Sequence, residues 1–265
     1  MSVVRLGAVS YLNTKPLVDG LQDRPDLFSL RFDLPSQCAS LLHDGQIDVG
    51  LIPAIEYLRG DYFIVPDIAI GSDGPVSSVA VFSRVPVERI ETLALDTSSK
   101  TSVALTRILC AHKWRIAPTI TPGDPNLRAM LAHADAALVI GDPALDVDPL
   151  PPGVEKIDLG TEWKAFTRLP FVYAMWAGRA GAVGSAHVAE LQAARDRGVG
   201  HVAAIAQDVS GGDAGRARKV ERYLRDNLKY PLGEREIEGL ERFYRFAAEL
   251  GLVAGLRPVR FYSSR

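Results

Sequence analysis

The chain has 265 residues, 47% of them hydrophobic and 23% charged, with a net charge of −2. That length and apolar fraction suit one large or two modest globular units and leave little room for long disorder. The near-neutral balance gives no basic field for nucleic acid, two cysteines make no disulfide framework, and no apolar run reaches membrane-spanning length.

Residues 3–9 read as a buried strand, 14–21 as a short helix, 28–34 as an alternating strand, 37–44 as a helix and 49–52 as a short buried strand. Pro53 suits the first position of a further helix. An alternating strand at 76–83 precedes a second run of the same kind. In it, 92–95 is a strand, 101–112 an amphipathic helix, 118–121 extended, 126–133 a helix and 136–140 a strand. Residues 170–176 alternate again, and four helices follow over 185–197, 199–210, 214–227 and 234–250, with Gly211 and Gly212 separating two of them.

Alternation of strand and helix predicts parallel sheets flanked by helices. Segments 41–52 and 130–140 share one plan, in which an apolar helix end and an aspartate, Asp48 or Asp135, precede a short strand. The fold class expected is therefore α/β with two lobes, a ligand cleft between them and a helical C-terminal tail. The extended stretches 76–83 and 170–176 serve as crossings, so one lobe takes 1–85 plus 171–265 and the other 86–170. The first eight residues run into a strand without a charged leader or apolar h-region, which predicts a cytoplasmic protein.

Two turns carry most of the chemistry. VSYLNTKP at 9–16 and DTSSKTSV at 96–103 each take a strand end into a helix start rich in hydroxyls and amide. First-turn N–H groups of a helix lack intrahelical acceptors, so such starts receive carboxylates. Asn13 and Thr14 face the cleft at the carboxyl edge of their sheet, where open α/β folds bind ligands. Ser99, Thr101 and Ser102 exceed what one N-cap needs. Ser77 and Ser78 are adjacent on a strand, so one of them points into the cleft.

The five histidines lack ligand spacing, so no metal is expected. Glu162 reads as a first-turn helix carboxylate rather than an acid–base group. No nucleophile elbow or nucleotide fingerprint is present. Hydroxyls and an amide without a base suit a reaction in which the substrate supplies its own base and the protein supplies orientation and electrostatics.

VSYLNTKPL at 9–17, GLIPAIEY at 50–57, GPVSSVAVFS at 74–83, SSKTSVALTRILC at 98–110 and DLGTEWKAFTRLPFVYAMW at 158–176 resemble the chorismate dehydratases of menaquinone biosynthesis by the futalosine route. The resemblance implies a periplasmic-binding-protein type II fold used as a cofactor-free enzyme with chorismate as its small-molecule partner, while charge and hydropathy predict neither nucleic acid nor membrane. It implies that Asn13 and Ser78 are catalytic, and that Ser10, Tyr11, Thr14, Ile52, Pro53, Ser77, Ser99, Thr101 and Ser102 contact the substrate. One departure stands out: the family carries Thr-Gly-Leu-Pro-Phe where this chain has an arginine, Arg168, read here as a surface residue. Two other readings compete with this one. The related 1,4-dihydroxy-6-naphthoate synthases carry a Ser-Pro-Cys-Pro-Asn-Asp start and a catalytic histidine, which this chain does not match. A non-catalytic binding or sensor protein for an aromatic or dicarboxylate ligand is the reading from another class.

Overall fold

A computed structural model describes residues 3–263 and divides the backbone between two sheets. The chain begins with β1 (Val4–Val9), β2 (Phe28–Asp33), helix α1 (Pro35–His43) and β3 (Val49–Pro53), followed by the short strands β4 (Tyr62–Ile64) and β5 (Ile70–Ser72). It then builds a second sheet from β6 (Val79–Ser83), β7 (Thr92–Asp96), α2 (Lys100–Ile108), β8 (Thr119–Gly123), α3 (Leu127–Leu131) and β9 (Ala136–Ile140). The segment α4 (Asp142–Leu145), β10 (Glu155–Asp158) and α5 (Leu159–Thr167) completes it. β11 (Phe171–Arg179) returns to the first sheet, and α6 (Ser185–Gly200), α7 (Val202–Val209), α8 (Ala214–Arg222) and α9 (Glu234–Glu249) form the tail. The strand orders are β2–β1–β3–β11–β4, with β5 also on β11, and β10–β6–β9–β7–β8. β1 is parallel to both neighbours and β7 to both of its own, as strand–helix–strand connections require.

The repeated plan seen in sequence is a shared joint. The Asp48 carboxylate accepts the Arg5 N–H at 2.8 Å and binds the Arg5 guanidinium. Asp135 accepts the N–H groups of Glu91 and Thr92 at 3.1 and 2.9 Å, and the Thr92 hydroxyl at 2.8 Å. Each aspartate stands just before the third strand of its unit and fastens the start of the first, fixing which strands lie side by side.

Sheet pairing moves one boundary. β6 bonds to β9 and β10, so it belongs to the second sheet, whereas a division at 85 leaves it with the first. Its alternation was legible, since Val79 and Val81 face the main core while Ala80 and Phe82 face a separate cluster with Met130 and Leu131. Which sheet it joins depends on partners far along the chain. The helix expected at 14–21 is a 3-10 turn over Leu12–Val18 that contains Pro16, which has no N–H to offer. Pro53 closes β3, and a 3-10 turn starts at Ala54. β4, β5, β10, α4 and α5 lie in stretches too short or too polar to show a period.

The tail sets the position of the first binding turn. Gly198 in α6 lets the chain at Pro16 come so close that a β-carbon would stand 2.0 Å from the Pro16 carbonyl oxygen. Lys229 exchanges both backbone hydrogen bonds with Gly71 at 2.8 Å, which ties the stretch after α8 to the first sheet.

Arg168 is exposed and follows α5 with φ 67°, a left-handed conformation in which glycine is unstrained. The family's glycine thus answers a backbone need, and the arginine side chain lies outside the cleft. Arg168→Gly is expected to raise the unfolding free energy by about 1 kcal/mol, measured by urea denaturation, with turnover unchanged.

Candidate active site

A narrow cavity of about 40 Å³ lies between the two sheets. Val9, Asn13 and Pro53 enter it from the first sheet's strand ends, Ser78 and Val79 from the crossing, and Ser99, Ser102 and Ile140 from the second. Leu228 of the tail closes one side. Its lining includes no carboxylate, imidazole, amine or guanidinium; the only titratable groups are the phenols of Tyr11 and Tyr173. Burial is the largest influence on both phenols and raises their pKa, so both stay protonated at neutral pH.

Asn13 and Ser78, about sixty-five residues apart in sequence, are brought to one hydroxyl. Tyr223, fully buried just after α8, donates to Ser78 Oγ at 2.8 Å, and the Asn13 side chain lies beside the same phenol, where its dipole favours the phenol's ionised form. Burial pushes that phenol's pKa up, so it remains a donor. A phenol has one proton, and here it is committed to Ser78 Oγ. That leaves the Ser78 proton and the Asn13 amide for the cavity. Tyr230 donates to the Asn13 carbonyl at 3.1 Å, holding the turn from beneath. Neither tyrosine lies in a motif readable from sequence, since both sit in the tail, which shows only helical periodicity.

The opposite wall is the start of α2. Ser99 is the N-cap, yet its side chain makes no capping bond and instead accepts from Ser102 Oγ at 3.1 Å. The helix's first-turn N–H groups are thereby left to a ligand. Tyr11 lies against Gly141, where a β-carbon would come within 2.8 Å of its ring, so a side chain there would displace it. Asp142, the next residue, accepts the Leu12 N–H at 3.1 Å across the two sheets. Burial raises the pKa of its carboxyl, with the Leu12 N–H opposing.

Of the eleven residues expected in the site, Tyr11, Asn13, Pro53, Ser78, Ser99 and Ser102 line the cavity. Ser10 is exposed, and its N–H bonds to the Asp33 carbonyl. Thr14 is fully buried under the turn, with its hydroxyl toward Asn13 Oδ1 at 3.4 Å. Ile52 packs beside Gly50 on the other face of β3. Ser77 turns away because its backbone is left-handed, at φ 64°, while Asp158 holds its N–H at 2.6 Å. Thr101 accepts the Ile55 N–H at 3.1 Å, joining the sheets rather than lining the cavity. Glu162 binds Lys113 and Trp114 at 2.7 and 2.6 Å, a structural role away from the cavity. The lysines near the two turns also stay outside, Lys15 exposed and Lys100 bound to Glu56.

Glu56 is the clasp between the sheets. Only 2% exposed, its carboxylate meets His43 Nε2 at 2.7 Å, Arg59 at 3.1 Å and, across the gap, Lys100 of α2 at 3.2 Å. Burial alone would raise its pKa, but His43, Lys100 and Arg59 together outweigh burial and hold it below the ordinary glutamate value of 4.5. A carboxylate depressed on folding stabilises above its unfolded pKa, and the contribution is lost as pH falls through the folded value. Glu56→Gln should therefore cost about 3 kcal/mol at neutral pH and flatten the loss of stability below pH 4.5, measured by denaturant titration across pH.

Two α/β sheets joined by two crossings, with a polar-tipped cavity between them, define a two-lobed protein with the periplasmic-binding-protein fold. Solved structures agree on that fold. A protein from Archaeoglobus fulgidus superposes with a TM-score of 0.73 at 15% identity, covering 94% of this chain and 98% of that one. The periplasmic aliphatic sulphonate binding protein SsuA of Escherichia coli superposes with a TM-score of 0.59 at 16% identity, covering 100% of this chain and 95% of that one. The chain belongs to the menaquinone biosynthesis family, whose model matches residues 4–249. A relative in Thermus thermophilus named chorismate dehydratase is 30% identical, across 93% of this chain and 95% of that protein.

Proposed function

We propose that this protein is a chorismate dehydratase, which removes water from chorismate to give 3-[(1-carboxyvinyl)oxy]benzoate. The observation that carries the reading is a cavity whose lining offers no group able to take a proton at neutral pH, yet presents an oriented hydroxyl and amide. The named relative supports the substrate.

The ring C3 proton leaves to the substrate's own enolpyruvyl carboxylate, the C–H electron pair forms the new ring double bond, and the C4 hydroxyl departs. It carries the transferred proton away as water, and aromaticity drives the loss. Ser78, accepting the Tyr223 hydrogen bond, donates its own hydrogen bond to the enolpyruvyl carboxylate without transferring the proton and holds that carboxylate over C3. The free Asn13 N–H binds the C4 hydroxyl as it leaves. Ser99, Ser102 and the open first turn of α2 receive the ring carboxylate, which is conjugated with the carbon losing its proton. Fixed dipoles do this without a cationic side chain in the cavity lining.

We place the reaction in the futalosine route, in the cytoplasm. Cys38 and Cys110 are free and buried thiols, which suits a reducing compartment.

Incubation of purified protein with chorismate, followed by chromatography and mass, should give a product lighter by one water. Asn13→Ala and Ser78→Ala should each lower kcat by about 100-fold or more. Tyr223→Phe should lower it by roughly 10-fold, because Ser78 keeps its hydroxyl but loses its orientation. Chorismate binding without loss of water would instead identify a sensor.

A further inference from the structure

On the far side of Ser77 from the cavity lies a second concavity of about 610 Å³. One bank belongs to the second lobe and carries Lys156 of β10 and the stretch 145–150. The other is α8 of the tail, presenting Arg218, Lys219 and Arg222. Four cations face this space, and the only carboxylate lining it is that of Asp148. Lys156 is half-buried, and its ammonium donates to the Ser77 and Ala144 carbonyls at 2.7 and 3.1 Å. An ammonium has three N–H donors, so one remains for a ligand. Arg216, at the entrance, reaches Asp146 at 4.0 Å, whereas Arg218, Lys219 and Arg222 form no ion pair or side-chain hydrogen bond among the described residues.

Closing the lobes sets these two positive banks against one another. Lys219 already opposes the charge on Lys156, whose pKa is lowered by burial and by that neighbour, with Asp158 and Asp148 only partly offsetting them. Repulsion of this kind weakens closure unless a counter-charge sits between the banks. The groove also joins the catalytic wall from behind. Lys156 holds the carbonyl of Ser77, which precedes Ser78, and Tyr223, which orients Ser78, lies one residue beyond Arg222.

We propose that this groove is a second binding site, for a compact small-molecule anion bearing at least two negative charges on phosphate or carboxylate oxygens, and that its occupancy fastens the tail to the second lobe. Arg218 and Arg222 supply paired N–H groups that suit either oxyanion, and Lys156 supplies the inner contact. This role is separate from the chemistry of the cavity, and its test needs no chorismate.

Isothermal titration with inorganic pyrophosphate and, separately, with citrate, at ionic strength fixed with sodium chloride, reads the site directly. The expected result is one anion per chain, bound at least tenfold more weakly by the Arg218→Ala/Arg222→Ala variant. Both arginines are exposed, so this variant should fold, as circular dichroism will confirm. Hydrogen exchange at 98–102, across the lobe interface, should slow when the anion binds the unmodified protein and not the variant. Binding of pyrophosphate alone would assign a phosphate-bearing ligand, and equal binding of both a site that reads charge. No heat beyond the chloride control, or equal affinity in the variant, overturns the site. Binding lost in Ser99→Ala/Ser102→Ala but kept in the arginine variant places the anion in the cavity and also overturns it. Binding without slowed exchange overturns the fastening.

Discussion

A buried phenol must find partners inside the protein, because leaving its oxygen unsatisfied costs about 1–3 kcal/mol. Tyr223 meets that requirement by donating to Ser78, with Asn13 beside it, and much of the arrangement follows. Ser78 comes from the turn entering the second sheet, Asn13 from the turn leaving the first, and the tyrosine from the tail. Three segments distant in sequence are thereby held at hydrogen-bonding range. The same bond decides which protons remain for a ligand, so a folding constraint and a chemical one are met by a single hydroxyl.

Charge is arranged around the cavity rather than in it. Glu56 and Lys100 clasp the lobes from one side, Asp142 takes the Leu12 N–H from another, and Asp158 holds the N–H groups of Val76 and Ser77. The interior keeps only dipoles, which do not have to be stripped of water as an ion pair would. A dianionic substrate then brings its own charge into a site already organised to meet it, with no side-chain carboxylate there to compete for the donors.

The local pattern was legible wherever period and polarity agreed. The strands at Val4–Val9 and Ala136–Ile140, the helix start at Ser99 and the shared aspartate plan could all be read from residues alone. Six of the eleven site residues line the cavity, because each sits at a strand end or helix start that local sequence defines. What could not be read depends on long-range pairing or on backbone strain. The sheet that takes Val79–Ser83, the outward turn of Ser77 at positive φ and the burial of Thr14 all require distant partners. Tyr223 escaped for the same reason: nothing near it in the chain announces that it will meet Ser78.

The strands of the second sheet are contiguous, from Val79 to Asp158, whereas the first sheet is interrupted. A ribosome therefore delivers one lobe whole while the other still lacks its central β11. The first lobe gains that strand only after the intervening sheet has emerged, and Tyr223 arrives later still. At roughly 5–20 residues per second, the second lobe has several seconds to fold before its serine acquires a tyrosine partner. The nascent chain thus carries a half-finished and inactive pocket for that interval, and catalytic competence waits for the tail that follows both sheets.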